Sequence, residues 1–217
     1  MIALHRMIDH TLLRADADEK AIDQLCDQAL AYHFKSCCVN SCWVKHVHER
    51  LAGSDVSTCT VIGFPLGAMS GEAKLLECAL ALRDGADEID MVAPVGLVKS
   101  GRWDLVEEEI RAIKQMMGER TLKVILECCL LQRSEIVRLC QCAVRAGADF
   151  VKTSTGFSTG GARVEDVRLM RETVGSQVGV KASGGIHSRA EALAMLEAGA
   201  NRIGASAGPA IVEERDA

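Results

Sequence analysis

At 217 residues, 48% of them apolar, with a formal net charge of −5, the chain is long enough for one substantial core and carries no basic excess. Binding along a nucleic-acid backbone needs clustered Lys and Arg, which the sequence lacks. No stretch reaches the ~18 consecutive apolar residues of a membrane span, and the N-terminus has no basic region leading into a long apolar segment. A cytoplasmic protein with small-molecule partners, no nucleic acid and no membrane is expected. The ten cysteines lie inside apolar runs or at helical spacing, which suits reduced, packed thiols. Cys37, Cys38, Cys42, His46 and His48 fall within twelve residues but lack the paired Cys-x-x-Cys spacing of a zinc site.

In chain order, strands are expected at 7–12, 36–39, 58–63, 88–93, 122–127, 149–153, 178–182 and 201–205. Helices are expected from Glu19 to Tyr32, Ser41 to Leu51, Gly71 to Arg83, Asp104 to Met117, Ser134 to Arg145, Val164 to Val174 and Arg189 to Ala198. Asp104 with Glu107, and Ser188 with Glu191, have the spacing of a capping box. Three helix-to-strand junctions share nearly one wording, with Gly85, Gly147 and Gly199 each suited to a left-handed C-cap. Eight strands alternating with helices, without a long linker, indicate one α/β domain over 1–217, a (β/α)8 TIM barrel. An open doubly wound sheet is the alternative, but its glycine fingerprint after the first strand is missing.

In such a barrel the chemistry sits at the C-terminal ends of the strands. Two short apolar runs there end in a lysine and then a hydroxyl- and glycine-rich loop: Phe150-Val151-Lys152-Thr153-Ser154-Thr155-Gly156, and Val178-Gly179-Val180-Lys181-Ala182-Ser183-Gly184-Gly185. Period-two alternation turns Val151, Val180, Ile89 and Met91 toward the helices, and Lys152, Lys181 and Asp90 inward. One carboxylate and two ammonium groups thus meet inside, either as a catalytic set or as an ion network that only holds the barrel closed. Lys123 also faces inward, from the start of its strand. Gly184 and Gly185 follow the seventh strand; Gly204 and Ser206 follow the eighth, with Pro209 suited to the first turn of a short helix. Backbone N–H groups of these loops form an anion site, so a phosphorylated small molecule is implied.

Ile8-Asp9-His10-Thr11-Leu12-Leu13, Val61 through Gly67, Ala86 through Val92, Leu122 through Ile125, Asp149 through Gly161 and Val180 through Gly185 together resemble the deoxyribose-phosphate aldolases, a class I family, in order along nearly the whole chain. The resemblance implies reversible cleavage of 2-deoxy-D-ribose 5-phosphate to acetaldehyde and D-glyceraldehyde 3-phosphate, with no metal and no cofactor. It implies that Lys152 forms the Schiff base, Lys181 tunes it and Asp90 assists proton transfer, with Asp9 near the second lysine and Cys38 by the aldehyde pocket. Thr155 and Gly156 are placed to line the sugar. A free lysine is almost wholly protonated at pH 7, so a nucleophilic amine needs a neighbour such as Lys181 that favours its neutral form. Ser41, Cys128 and a tail from Glu213 to Ala217 without tyrosine depart from the family pattern; Tyr32 is the single tyrosine. Other class I aldolases on a different sugar phosphate or keto acid, and a non-catalytic sugar-phosphate-binding barrel, are the competing functions. A homodimer or higher homo-oligomer is compatible with the sequence.

Overall fold

The structure, a computed structural model, describes residues 3–214. Eight strands form a closed, all-parallel barrel in sequence order. They are β1 (Ile8–Leu12), β2 (Ser36–Val39), β3 (Ser57–Ile62), β4 (Glu88–Val92), β5 (Thr121–Ile125), β6 (Phe150–Lys152), β7 (Gly179–Ser183) and β8 (Arg202–Ala205). The surrounding helices are α1 (Glu19–Tyr32), α2 (Val44–Arg50), α3 (Gly71–Arg83), α4 (Val95–Lys99), α5 (Trp103–Met117), α6 (Arg133–Arg145), α7 (Val164–Val174), α8 (Arg189–Glu197) and α9 (Gly208–Glu213). No helix of the described residues is long and apolar enough to cross a membrane. Of the tail without tyrosine, Arg215 to Ala217 lies outside the described residues.

All eight strands and seven long helical segments occur where the sequence places them, with three differences. The segment from Ser41 to Leu51 divides into a 3-10 turn, Ser41–Trp43, and the short helix α2. The α4 turn after Pro94 was not expected. Asp104 is not a cap: α5 begins one residue earlier, at Trp103, whose ring lies 4.7 Å from the Arg138 guanidinium carbon. Glu107, instead of reaching back to the helix start, pairs with Arg145 at 2.8 Å. The Ser188–Glu191 box does form, with Ser188 and His187 N–H groups both donating to Glu191.

The three repeated junctions are one structural device. After α3, α6 and α8, the N–H of Gly85, Gly147 or Gly199 donates to the carbonyl three residues back, and the next N–H donates to the carbonyl five back. These are Schellman turns, and the glycines have φ of 103°, 87° and 112°. Each turn delivers the chain directly into β4, β6 or β8. The apolar core lies between strands and helices, where Ile89, Met91, Val124, Val151 and Val180 are fully buried. The opposite parity of each strand points into the barrel and is largely polar.

Gly147 isolates the conformational cost of the junction, because a Cβ there would meet only Lys114 Cγ, at an ordinary 3.7 Å. Gly147→Ala should therefore destabilise the fold by about 1–2 kcal/mol, the cost of a left-handed L-residue, without steric damage. Urea denaturation monitored by circular dichroism checks this, and an unchanged midpoint would mean that the turn relaxes.

Candidate active site

Strand register brings the interior charges to one level. Asp90 pairs with Lys123 across β4 and β5, Ile125 with Lys152, Lys152 with Lys181, and Lys181 with Arg202. Asp90 Oδ2 accepts from both Lys152 Nζ and Lys181 Nζ at 2.7 Å, and its Oδ1 accepts from Lys123 Nζ at 2.8 Å. Lys123 starts lower in the barrel, as expected, yet its long side chain reaches the same carboxylate. Asp9 touches Lys181 directly, at 2.6 Å, and also accepts from Ser36 Oγ and Arg202 Nη1, both at 2.7 Å. Glu88 pairs with Lys123 at 2.6 Å and with Arg202 at 3.1 Å.

The network therefore contains three carboxylates and four cations: beyond Asp90, Lys152 and Lys181 it takes in Asp9 and Lys123, which were expected near them, and Glu88 and Arg202, which were not. Glu88 and Arg202 were missed although the signal was present: each lies two residues before an inward position, Asp90 and Gly204, on its own strand. Gly204 is part of the arrangement. A Cβ on it would stand 2.9 Å from Lys181 Cε, so the missing side chain is what lets the Lys181 stem cross β8 toward Asp9.

Burial disfavours the charges of Asp90, Asp9, Lys181 and Lys123, and their partners decide the direction in which these four shift. For Asp90, burial is outweighed by Lys123, Lys152 and Lys181, so its carboxyl is held well below the usual range. Asp9 is likewise depressed, by Lys181, Lys123 and Arg202 acting against burial. Lys181 is raised because Asp9 and Asp90 overcome the cost of burial, and Lys123 because Asp90 does so with help from Cys59 and Glu88. Lys181 is thereby fixed as a cation beside Lys152.

Above this network opens a cavity of about 390 Å³. Lys152 is the one network cation in its wall. Thr155 and Gly156 border it from the β6 loop, Gly184 and Gly185 from the β7 loop, Gly204 from β8 itself rather than from the loop where the sequence placed it, and Ser206 from the β8 loop. Gly184 and Gly185 have φ of 88° and 75°. Arg14 and His187 also line the cavity, and neither was singled out from the sequence. Cys38 is fully buried below it, packed with Cys59, Val61 and Leu13. Its thiol is shifted down, chiefly by the hydrogen bond with Cys59, and Cys59 Sγ lies 3.5 Å from Asp90 Oδ1.

Sulfur and oxygen atoms of Cys38, Cys59 and Asp90 come within 4.8 Å of one another, but a metal ion there would be set against the ammonium groups that Asp90 already holds. The cysteine–histidine stretch considered from the sequence does not converge. Cys37 Sγ points to Leu25 O, Cys42 is exposed, and His46 bonds Asp23 at 2.8 Å. Tyr32 stacks on Phe34, bonds Glu213 and does not line the cavity.

The network makes the fold acid-sensitive. Carboxyls that titrate near 3.9 when unfolded and lower when folded contribute stability that is complete above about pH 5 and is lost as pH falls below about 4. The raised lysines lose theirs only as pH rises above their unfolded value of about 10.4. Thermal midpoints should be nearly level between these limits and drop steeply on the acid side, whereas Asp90→Asn should be less stable at pH 7 and show a shallower acid drop. Parallel acid profiles for the two proteins would show that Asp90 is not the linked group.

Residues 4–213 match the family model described as DeoC/LacD family aldolase. A deoxyribose-phosphate aldolase of Streptococcus pneumoniae is 58% identical over 97% of this chain and 96% of its own length. The enzyme of the same name from Finegoldia magna is 56% identical over 97% and 99%. Among solved structures, a putative deoxyribose-phosphate aldolase from Coccidioides immitis superposes with a TM-score of 0.95 at 40% identity, covering 97% of this chain and 85% of that one. A deoxyribose phosphate aldolase from Aeropyrum pernix, described as tetrameric, gives 0.89 at 34% identity and covers 97% and 89%.

Proposed function

Because the chain belongs to the DeoC/LacD family of aldolases, we propose that it reversibly cleaves 2-deoxy-D-ribose 5-phosphate to acetaldehyde and D-glyceraldehyde 3-phosphate, with Lys152 as the imine-forming amine. The observation that carries the assignment is that Lys152, alone among the interior lysines, lines the cavity while bonded to Asp90. Carbon–carbon cleavage beside a carbonyl leaves a carbanion, and a protonated imine takes up that charge far better than a neutral carbonyl.

Lys181, a fixed cation on the adjacent strand, acts on Lys152 through its charge. Asp90 serves proton transfer to and from the carbinolamine and the acetaldehyde carbon. In the resting network three ammonium groups make it a weak base. When Lys152 gives up its proton to solvent in the open cavity, one of those three charges is gone and Asp90 becomes the better acceptor at the step that needs one. Asp9 holds Lys181 from the other side.

The phosphate is assigned to the Gly184–Gly185 turn and to the end of β8 and its loop at Gly204 and Ser206, with backbone N–H groups as donors. Thr155 and Gly156 face the sugar. Ten free cysteines, most of them buried, favour the reducing cytoplasm as its location, and the tetrameric Aeropyrum pernix relative supports a homo-oligomer.

Borohydride reduction in the presence of acetaldehyde, followed by peptide mapping, should place the adduct on Lys152, and Lys152→Leu should trap nothing at any pH. An adduct on Lys181 or Lys123 would overturn the assignment. Ser206→Asp should raise KM for the phosphorylated sugar at least about tenfold more than for unphosphorylated deoxyribose, because like charges then meet. Equal effects on both sugars would remove the phosphate assignment.

A further inference from the structure

Glu127 is a buried carboxylate on an unusual backbone. It follows β5 with φ 57° and ψ 62°, and His33 is the only other non-glycine residue of positive φ among the described residues. His33 caps the C-terminus of α1, where the left-handed conformation closes the helix. Glu127 closes no helix, so its conformational cost of about 1–2 kcal/mol and the burial of its carboxyl call for another compensation.

The neighbouring bonds supply it. Leu126 N–H donates to Lys152 O and Cys128 N–H donates to Thr153 O, each at 2.9 Å, so β5–β6 pairing continues past both strand ends. The left-handed turn between these bonds aims the Glu127 side chain at the loop after Lys152. There Oε1 accepts from Thr155 N–H at 3.2 Å and Oε2 accepts from the Thr155 hydroxyl. The Cys129 thiol adds a weak contact to Oε1 at 3.9 Å. Thr155 Oγ1 in turn accepts from Phe157 N–H at 3.0 Å.

A threonine hydroxyl has one proton and two lone pairs. Here the proton is committed to Glu127 and one lone pair to Phe157, which leaves one lone pair for the cavity that Thr155 lines. Glu127 itself does not reach that cavity. We propose that Glu127 is a positioning residue that fixes Thr155 as a hydrogen-bond acceptor at the cavity wall, so that the site selects a substrate bearing a hydroxyl donor beside the reacting carbonyl. This deepens, and rests on, the assignment of Lys152 as the imine-forming amine. A glutamine at 127 keeps the shape but offers an N–H₂ where Oε2 stood, which occupies the remaining Thr155 lone pair and turns Thr155 from a fixed acceptor into a donor, so a substrate hydroxyl loses the acceptor it was positioned against.

The test is aldol addition of acetaldehyde to two acceptors, D-glyceraldehyde 3-phosphate and 3-oxopropyl phosphate, which lacks the hydroxyl. The unaltered protein should prefer the hydroxylated acceptor by about tenfold in kcat/KM, the ratio expected from one hydrogen bond. Glu127→Gln should lower that preference through a raised KM for the hydroxylated acceptor, while the reduced acetaldehyde adduct on Lys152 still forms. Thr155→Val, nearly isosteric and keeping the Thr155 N–H bond to Glu127, should lose it. The double variant should be no worse than Thr155→Val, since the two residues act as one unit. A Glu127→Gln or Thr155→Val protein that keeps the full preference, an unaltered protein that shows none, or equal losses on both acceptors would overturn the proposal. Failure of the unaltered protein to trap acetaldehyde on Lys152 would overturn the imine assignment, and this proposal with it.

Discussion

The site depends on Asp90 being shared by three ammonium groups inside a closed barrel. At an effective dielectric constant of 20, two unit charges about 4 Å apart attract by roughly 4 kcal/mol, and closer charges by more, while each buried charge costs several kcal/mol in lost hydration. The balance is favourable only if every partner is present and the donors arrive in register. Three lysines from three successive strands meet one carboxylate from a fourth. Such a contact set is a consequence of strand order and stagger, and it needs the sheet to curve back on itself. With four cations against three carboxylates, the interior retains an excess of positive charge, and the cation bordering the cavity is Lys152.

The closing seam is tied into the same network. β1 and β8 meet over a short register in which Asp9 is paired with Gly204. Arg202 spans from this seam to Asp9 on one strand and Glu88 on another, so barrel closure and charge compensation reinforce each other. A large residue at 204 would block the Lys181 stem and break the link between the two carboxylate centres. Interior packing thus shares residues with the proposed chemistry, so a structural and a catalytic role draw on the same contacts. The feature that distinguishes them is access: the lysine ends of the network are sealed except at Lys152.

The barrel was legible in the sequence because its signals are local and repeated. Glycine-marked helix ends precede β4, β6 and β8, and short apolar runs end in lysine at β6 and β7. Asp90, Lys152 and Lys181 were legible because charges stood out within apolar strands. Glu88 and Arg202 were less conspicuous, since a charge at the N-terminal end of a strand resembles a surface residue until the register is known. Glu127 left no usable signal. Its role depends on a left-handed backbone at a non-glycine residue, which the bonds of Leu126 and Cys128 impose from the neighbouring chain. The Asp104 cap failed for a tertiary reason, because Trp103 packs against Arg138 and starts the helix one residue early.

The groups assigned to bond cleavage and those assigned to recognition stand on different kinds of structure. Asp90, Lys152 and Lys181 are borne by strands, so their spacing follows from sheet register and a slip of one residue would turn each to the opposite face. The recognition groups are borne by loops, which need fastening of their own. The β6 and β7 loops are fastened to each other: Ala162 N–H donates to Gly184 O at 2.9 Å, and Ser183 Oγ donates to Ser154 O at 2.6 Å. Gly161 packs so closely on Gly184 that a Cβ would stand 2.2 Å from its carbonyl oxygen. The wall beside Lys152 and the wall assigned to phosphate therefore form one hydrogen-bonded piece. Binding energy gained by a phosphate held there would be applied to a surface that also carries Thr155, which is how contacts remote from the reacting carbon can orient it.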